Sequence, residues 1–202
     1  MSDTLATFVF FFAVIDPIGT VPVFIAVTSH YGERTKRRIA VKATFMAMVV
    51  LLFFVVAGEL VLTSVNVPIE AFQVAGGIVL FLFAMSMIFG EPKPEEEMKM
   101  ACDGSATAIF PLAVPSIASP GAMLAAVLMT NNSKFNIIEQ VQTTLIILSV
   151  LAIVFIFMLI AGFIYRIIGQ NGASIISRVM GIILASVAVT SVLNGIKDYF
   201  AI

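Results

Sequence analysis

The fold follows from the stretch AVIDPIGTVP at residues 13–22, where an aspartate, two prolines and a glycine interrupt an apolar run. A second stretch, PLAVPSIASPGA at residues 111–122, interrupts another apolar run about a hundred residues later. Each stretch contains two prolines separated by four residues. When such breaks occur in corresponding halves of a membrane protein, they are the best sequence indication of a substrate site.

The composition excludes a water-soluble domain. Of the 202 residues, 60% are hydrophobic and only 11% are charged, and the mean hydropathy is +1.11. A soluble domain carries about 25% charged residues, because its surface faces water. The net charge of −1 gives no support for nucleic-acid binding. With one cysteine and one histidine, and no acid pair or Ser-His arrangement, we expect no metal site, no cofactor and no enzymatic activity.

Six apolar windows are long enough to cross a bilayer, which requires about 20 residues each. They cover residues 4–29, 39–62, 69–90, 105–130, 141–164 and 175–196. Windows one and four contain the proline-rich breaks. The sequence therefore predicts an all-α integral membrane protein, a single transmembrane domain over residues 1–202 with six helices, of which helices 1 and 4 are interrupted.

The distribution of basic residues predicts the orientation. Nine of the eleven Lys and Arg residues lie in or next to the connections that follow windows one, three and five, and only Lys134 and Lys197 lie on the other side. Because cytoplasmic loops carry the excess of Lys and Arg, we expect a multi-pass protein of the cytoplasmic (inner) membrane with both termini outside.

Windows three and six resemble each other at an offset of 105 residues. Gly76 aligns with Gly181, and Ser86 aligns with Ser191. The two breaks align at an offset of 98 when Pro17 and Pro22 are matched to Pro115 and Pro120, or at about 102 when Pro17 and Gly19 are matched to Pro120 and Gly121. The chain then divides into repeats at residues 1–100 and 101–202, and three helices per repeat make the second repeat inverted relative to the first. Helix packing is the expected role of three glycines: Gly76, Gly77 and Gly181.

Asp16 is the most informative single residue. It lies twelve residues after Thr4, about 18 Å along a helix, and a carboxylate at that depth costs about 2.5–3.5 kcal/mol to insert. The carboxylate could bind a coupling ion or a substrate amine, or it could cap the half-helix that follows. The candidate substrate- or ion-binding residues are Asp16, Pro17, Gly19, Thr20 and Pro22 in the first break, and Pro115, Ser116, Ser119, Pro120 and Gly121 in the second.

The chain resembles the MarC family of integral membrane proteins. The matching segments are residues 12–24, 71–80, 111–115 with 119–122, and 178–181. The resemblance implies a six-helix inner-membrane protein with an external N-terminus, related to LysE-type amino-acid exporters. At least one member type is similar to an ion-coupled transporter of small neutral amino acids. Two positions depart from the family pattern: Ser119 replaces the first residue of Gly-Pro-Gly, and Thr190 occupies a position that is often Gln.

We therefore expect a secondary transporter of small polar metabolites, with small neutral amino acids as the leading substrates and H⁺ or Na⁺ as the coupling ion. Its expected partners are the small-molecule substrate and the lipid bilayer, and a homo-oligomer is left open. The sequence also leaves open a passive channel or facilitator, and a non-transporting membrane scaffold subunit.

Overall fold

A computed structural model describes residues 2–64, 66–89, 112–132 and 135–200. The regular structure in these ranges is entirely helical, which confirms the predicted all-α class. The helices are α1 (Ser2–Ile15), α2 (Pro17–Thr28), α3 (Glu33–Ser64), α4 (Ile69–Phe89), α5 (Pro120–Met129), α6 (Ile137–Leu159) and α7 (Ala161–Phe200). One π-helical segment, Leu112–Ile117, precedes α5.

Within the described ranges, five helices are long and apolar enough to cross a membrane: Thr4–Thr28, Glu33–Leu60, Glu70–Phe89, Ile137–Leu159 and Asn171–Phe200. They correspond to predicted windows one, two, three, five and six. Residues 105–111 of the fourth window lie outside the described residues, and its described part is the π segment and the ten-residue α5. The described residues therefore contain five candidate spans, as a multi-pass membrane protein requires.

The last two helices differ from the predicted windows in their bounds. Helix α6 ends at Leu159, and α7 already begins at Ala161. Gly169 then breaks the helical path of α7 with φ 65 and ψ 177, a conformation that glycine adopts without a steric penalty. Arg178 consequently lies within the long second part of α7 and does not begin a helix.

The interrupted first span is the centre of the bundle. In its most apolar window 72% of the residues are buried, against 22–39% in the other four spans. Helices α1 and α2 both pack on α6 and α7, while α1 also contacts α5 and α2 contacts the π segment. Lipid-facing surface is thus provided by the outer helices, and the broken helix is enclosed by them.

Helices α4 and α7 form the most extensive helix pair, and they run antiparallel. A Cβ at Gly77 would lie 3.0 Å from the Ala188 carbonyl oxygen, and one at Gly181 would lie 3.1 Å from the Ala84 carbonyl oxygen. The two contacts are reciprocal, because Gly77 and Gly181 are 104 residues apart, as are Ala84 and Ala188. The packing register therefore differs by one residue from the alignment at an offset of 105. Gly76 instead faces Leu124 of α5.

Candidate functional site

The first break is centred on Asp16, which ends one helix and begins the next. Its amide N–H donates to the Phe12 carbonyl at 3.0 Å and so closes the last turn of α1. Its backbone is left-handed, with φ 50 and ψ 70, a region that aspartate tolerates better than most residues. Its Oδ1 accepts a hydrogen bond of 3.0 Å from the Gly19 amide, which caps α2, and Pro17 occupies the first position of α2, where no N–H is needed.

The second oxygen of the same carboxylate is bonded to a distant helix. Ser177 of α7 donates its hydroxyl to Asp16 Oδ2 at 2.6 Å. Asp16 is 1% exposed and Ser177 is fully buried. A Cβ at Gly19 would lie 2.2 Å from Asp16 Oδ2 and 2.8 Å from Ser177 Oγ, so only glycine leaves room for this bond. The carboxylate therefore joins three helices, α1, α2 and α7, in a site closed to solvent.

Thr20 and Pro22 alter the hydrogen bonding of two backbone carbonyls near the first break. Thr20 donates its hydroxyl to the Asp16 carbonyl at 3.0 Å, and the Thr20 amide bonds to the same oxygen at 3.1 Å. Pro22 lies inside α2 and is buried. Because proline has no N–H, it cannot donate the helical bond to the Ile18 carbonyl, four residues earlier. The first break thus combines a buried carboxylate with a carbonyl that has lost its usual helical donor.

The second break repeats the cap of the first with a hydroxyl in place of the carboxylate. Ser119 Oγ accepts a hydrogen bond of 3.2 Å from the Ala122 amide and caps α5, and Pro120 is the first residue of that helix. The Ser119 hydroxyl also donates to the Val14 carbonyl of α1 at 3.3 Å. The two breaks therefore meet directly at the last turn of α1.

The other residues of the second break lie around this contact. Within the π segment Val114 is extended, with φ −141 and ψ 121, and Pro115 follows it. Ser116 is fully buried, and its Oγ has no hydrogen-bond partner among the described residues. Gly121 is buried between α4 and α1, since a Cβ there would lie 3.1 Å from Leu80 Cδ1 and 3.3 Å from Val14 Cγ1. Pro120 is exposed.

The equivalence between the breaks agrees with the alignment that matched Pro17 to Pro120 and differs from the alignment at an offset of 98. Asp16 and Ser119 are the capping residues, each is followed by proline, and they are 103 residues apart. The offset of 98 matched Pro17 to Pro115 and Pro22 to Pro120, and the two prolines of each pair occupy different structural positions. Pro22 lies inside α2, whereas Pro115 lies in the π segment before the cap. The unit that recurs is a capping residue followed by proline.

Two cavities flank the contact between the breaks. The first, which we call the polar cavity, has a volume of about 430 Å³ and is lined by Phe10 of α1 together with residues of α4, α5 and α7. Its polar lining consists of Gln73, Thr190, Ser191, Asn194, Lys197 and Asp198. The second, the basic cavity, has a volume of about 520 Å³ and is lined by Phe24 of α2 and by charged residues of α3 and α7.

The cavities lie on opposite sides of Asp16. Phe10 precedes Asp16 by six residues, about 9 Å along α1, and Phe24 follows it by eight, about 12 Å along α2. Neither cavity is lined by Asp16 or Ser119. Along the first span, the buried Asp16–Ser177 contact therefore lies between the residues that line the two cavities.

Sequence reasoning missed two members of this region. Ser177 lies four residues before Gly181 and therefore on the same face of α7 as that packed glycine. This spacing was the only feature of the sequence that indicated a buried position for Ser177. Gln73 lines the polar cavity and donates its amide Nε2 to the Ser191 carbonyl at 3.3 Å. Nothing in the apolar context of α4 distinguished Gln73 as a cavity residue. In the described ranges no three His, Cys, Asp or Glu side chains cluster as metal ligands would.

Comparison with known proteins identifies the family. The family model described as "MarC family integral membrane protein" matches residues 1–200. A UPF0056 membrane protein of Methanocaldococcus jannaschii is 33% identical over 189 residues, which cover 92% of each chain. A UPF0056 membrane protein of Pyrococcus abyssi is 32% identical over the whole of both chains, and the inner membrane protein YhgN of Escherichia coli is 29% identical over 98% of both. No solved structure matches the chain. The chain belongs to the MarC family of integral membrane proteins.

Proposed function

We propose that the protein is an ion-coupled secondary transporter of small polar metabolites, with small neutral amino acids as the leading substrates. The observation that carries the proposal is the Asp16 carboxylate, fully enclosed where the central helix is broken and bonded to Ser177 of α7. Charged groups at such positions in membrane helices are rare and costly, and they commonly mark ion or substrate pathways. The proposal includes no catalytic residue and no cofactor.

An inverted repeat supports this assignment, because it is a frequent plan of secondary transporters. The two capping residues, Asp16 and Ser119, are 103 residues apart, and the reciprocal glycine contacts of α4 and α7 are related by 104. Repeats at residues 1–100 and 101–202 would place equivalent helices antiparallel and at a nearly constant sequence offset, as these are. We place both termini outside and the basic cavity on the cytoplasmic side, in agreement with the distribution of Lys and Arg.

Asp16 is the coupling residue of the proposal. A sodium ion beside Oδ2 would compete with the Ser177 hydroxyl for this oxygen, and a proton on Oδ2 would remove the charge that strengthens the hydrogen bond, so that either ion could break it. Because that bond links the junction of α1 and α2 to α7, its loss would free the junction to move relative to α7. The bound ion would in this way decide which of the two cavities communicates with the buried Asp16–Ser177 contact.

The polar cavity is the proposed entry for substrate. Asn194 and Gln73 provide amide groups, and Lys197 and Asp198 provide one positive and one negative charge in the same lining. A zwitterionic amino acid carries the complementary pair, an ammonium and a carboxylate. Thr190, at the position where the family pattern often has Gln, also lines this cavity, so its side chain is positioned to influence which substrate enters.

Transport by purified protein in sealed vesicles tests the proposal. We expect a proton or sodium gradient to drive accumulation of small neutral amino acids above the equilibrium level. Asp16→Asn should abolish accumulation, because the amide carries no charge to exchange with an ion. The matched control is Glu139→Gln, which removes the charge of an exposed carboxylate. The glutamine amide keeps an oxygen that can accept the capping hydrogen bond from the Asn136 amide.

The outcomes separate the candidate functions. Flux without accumulation would favour a passive facilitator, and no flux for any amino acid would contradict the amino-acid assignment. Normal accumulation by the Asp16 variant would remove this residue from the coupling mechanism. Loss of accumulation in both variants would indicate that the substitutions impair folding or insertion and do not act on coupling.

A further inference from the structure

The basic cavity carries an excess of positive charge. Four charged residues line it: Glu33, Lys36 and Arg37 at the start of α3, and Arg166 in the first part of α7. Glu33 is engaged by Lys36, whose Nζ lies 2.9 Å from Glu33 Oε1. Within the described part of the chain, neither Arg37 nor Arg166 has a carboxylate within ion-pair distance. Two guanidinium groups are thus left to face the same space.

The other walls of the basic cavity are apolar and continue onto the outer surface. Phe24 and Ile25 of α2 line it from inside, while Leu159, Ile160 and Phe163 line it at the junction of α6 and α7. Leu159 and Ile160 are each 45% exposed, and Phe163 is 67% exposed. Because the helices beside this junction are membrane-spanning, these exposed apolar side chains face hydrocarbon or its boundary with the headgroups.

We propose that the basic cavity binds the phosphate headgroup of an anionic phospholipid. Guanidinium groups bind phosphate oxygens with paired, charge-assisted hydrogen bonds, and basic pockets between membrane helices bind anionic headgroups. The positive end of α3, which begins at Glu33, adds to the attraction. The acyl chains lie along the exposed apolar side chains of the α6–α7 junction. A soluble anion makes no favourable contact with this apolar wall, whereas acyl chains do, so we assign a lipid and not free phosphate.

Native mass spectrometry of the purified full-length protein tests this site, with phosphatidylglycerol and phosphatidylcholine as probes. We expect phosphatidylglycerol to be retained preferentially. The double variant Arg37→Gln/Arg166→Gln should bind it about 25-fold more weakly, at roughly fivefold for each basic group near an anionic lipid. The control is Arg34→Gln/Arg38→Gln, which removes two exposed charges from the same end of the protein but none from the cavity. This control should retain the lipid.

Several results would overturn the proposal. Equal retention of the two lipids would do so, as would equal loss in the two double variants, which would indicate general surface charge. Stabilisation by inorganic phosphate equal to that by phosphatidylglycerol, measured by thermal unfolding, would refute the lipid assignment. A third variant, Arg37→Lys/Arg166→Lys, keeps the charges and should keep most of the preference, even if the glutamine variant unfolds. Because lipid binding is the readout, the test is independent of transport.

Discussion

Gly19→Ala should break the bond between the central helix and α7. The added methyl carbon would lie 2.2 Å from Asp16 Oδ2 and 2.8 Å from Ser177 Oγ, far inside van der Waals contact. One or both of those groups must move. Oδ2 is the oxygen that accepts the Ser177 hydroxyl, so the shift separates that pair or turns the carboxylate away from the Gly19 amide.

The expected loss of stability follows from the bonds affected. A hydrogen bond to a charged group contributes about 1.5–3 kcal/mol, and an N-cap contributes about 1 kcal/mol. Against these losses, alanine is favoured over glycine in a helix by about 1 kcal/mol. The net effect is a free energy of unfolding lower by about 2 kcal/mol. A buried carboxylate left without a donor would increase the loss further.

Unfolding in mixed micelles, followed by circular dichroism, measures this difference. The matched control is Gly162→Ala, which adds the same methyl group to a helical glycine whose new carbon has no heavy atom within 4 Å apart from its chain neighbours and its own helix backbone. We expect the control to match the parent protein or exceed it by up to about 1 kcal/mol. If Gly19→Ala were as stable as Gly162→Ala, the enclosed Asp16–Ser177 contact would be refuted.

Three further substitutions test other parts of the structure. Ser116→Ala removes a buried hydroxyl that has no partner among the described residues, so the same unfolding measurement should show no loss or a gain of about 1 kcal/mol. Gly77→Ala places a methyl 3.0 Å from the Ala188 carbonyl oxygen and should lower stability by about 1–3 kcal/mol; a neutral result would contradict the close α4–α7 contact. Asp16→Ser should keep the cap and lose gradient-driven uptake, and retained coupling in vesicles would exclude the carboxylate from that role.

Much of the helical bundle could be predicted from the sequence because the lipid bilayer restricts which structures can cross it. Long apolar windows become helices, since backbone groups in hydrocarbon must be satisfied within the helix, and five of the six windows are candidate spans. The first break was also predictable, because Pro17 lacks the donor that a continuous helix needs, whereas Pro22 lies inside α2 without ending it. The bounds of α6 and α7 were not, because the kink occurs at Gly169, a glycine that looks ordinary in sequence.

The partners of the candidate site were harder to predict for a physical reason. Asp16 and Ser177 are 161 residues apart, and only the packing of α7 on α1 and α2 brings them together. The equivalence of the breaks stayed open between two offsets, because prolines are conspicuous in sequence whereas capping is defined by backbone geometry. Once the caps are known, Asp16-Pro17 and Ser119-Pro120 are the equivalent pairs.

The second break serves as an internal control for the first. Ser119 caps α5 through the amide three residues later, as Asp16 caps α2, and serine and aspartate are about equally good at this position. Capping alone therefore does not account for a carboxylate at residue 16, which costs about 2.5–3.5 kcal/mol more to place in a membrane helix than an apolar residue. The Asp16 carboxylate accepts a hydrogen bond from Ser177, at a position on the first span between the residues that line the two cavities. A charged group that is costly in a membrane helix and is not needed for the cap therefore supports the coupling role that we propose for Asp16.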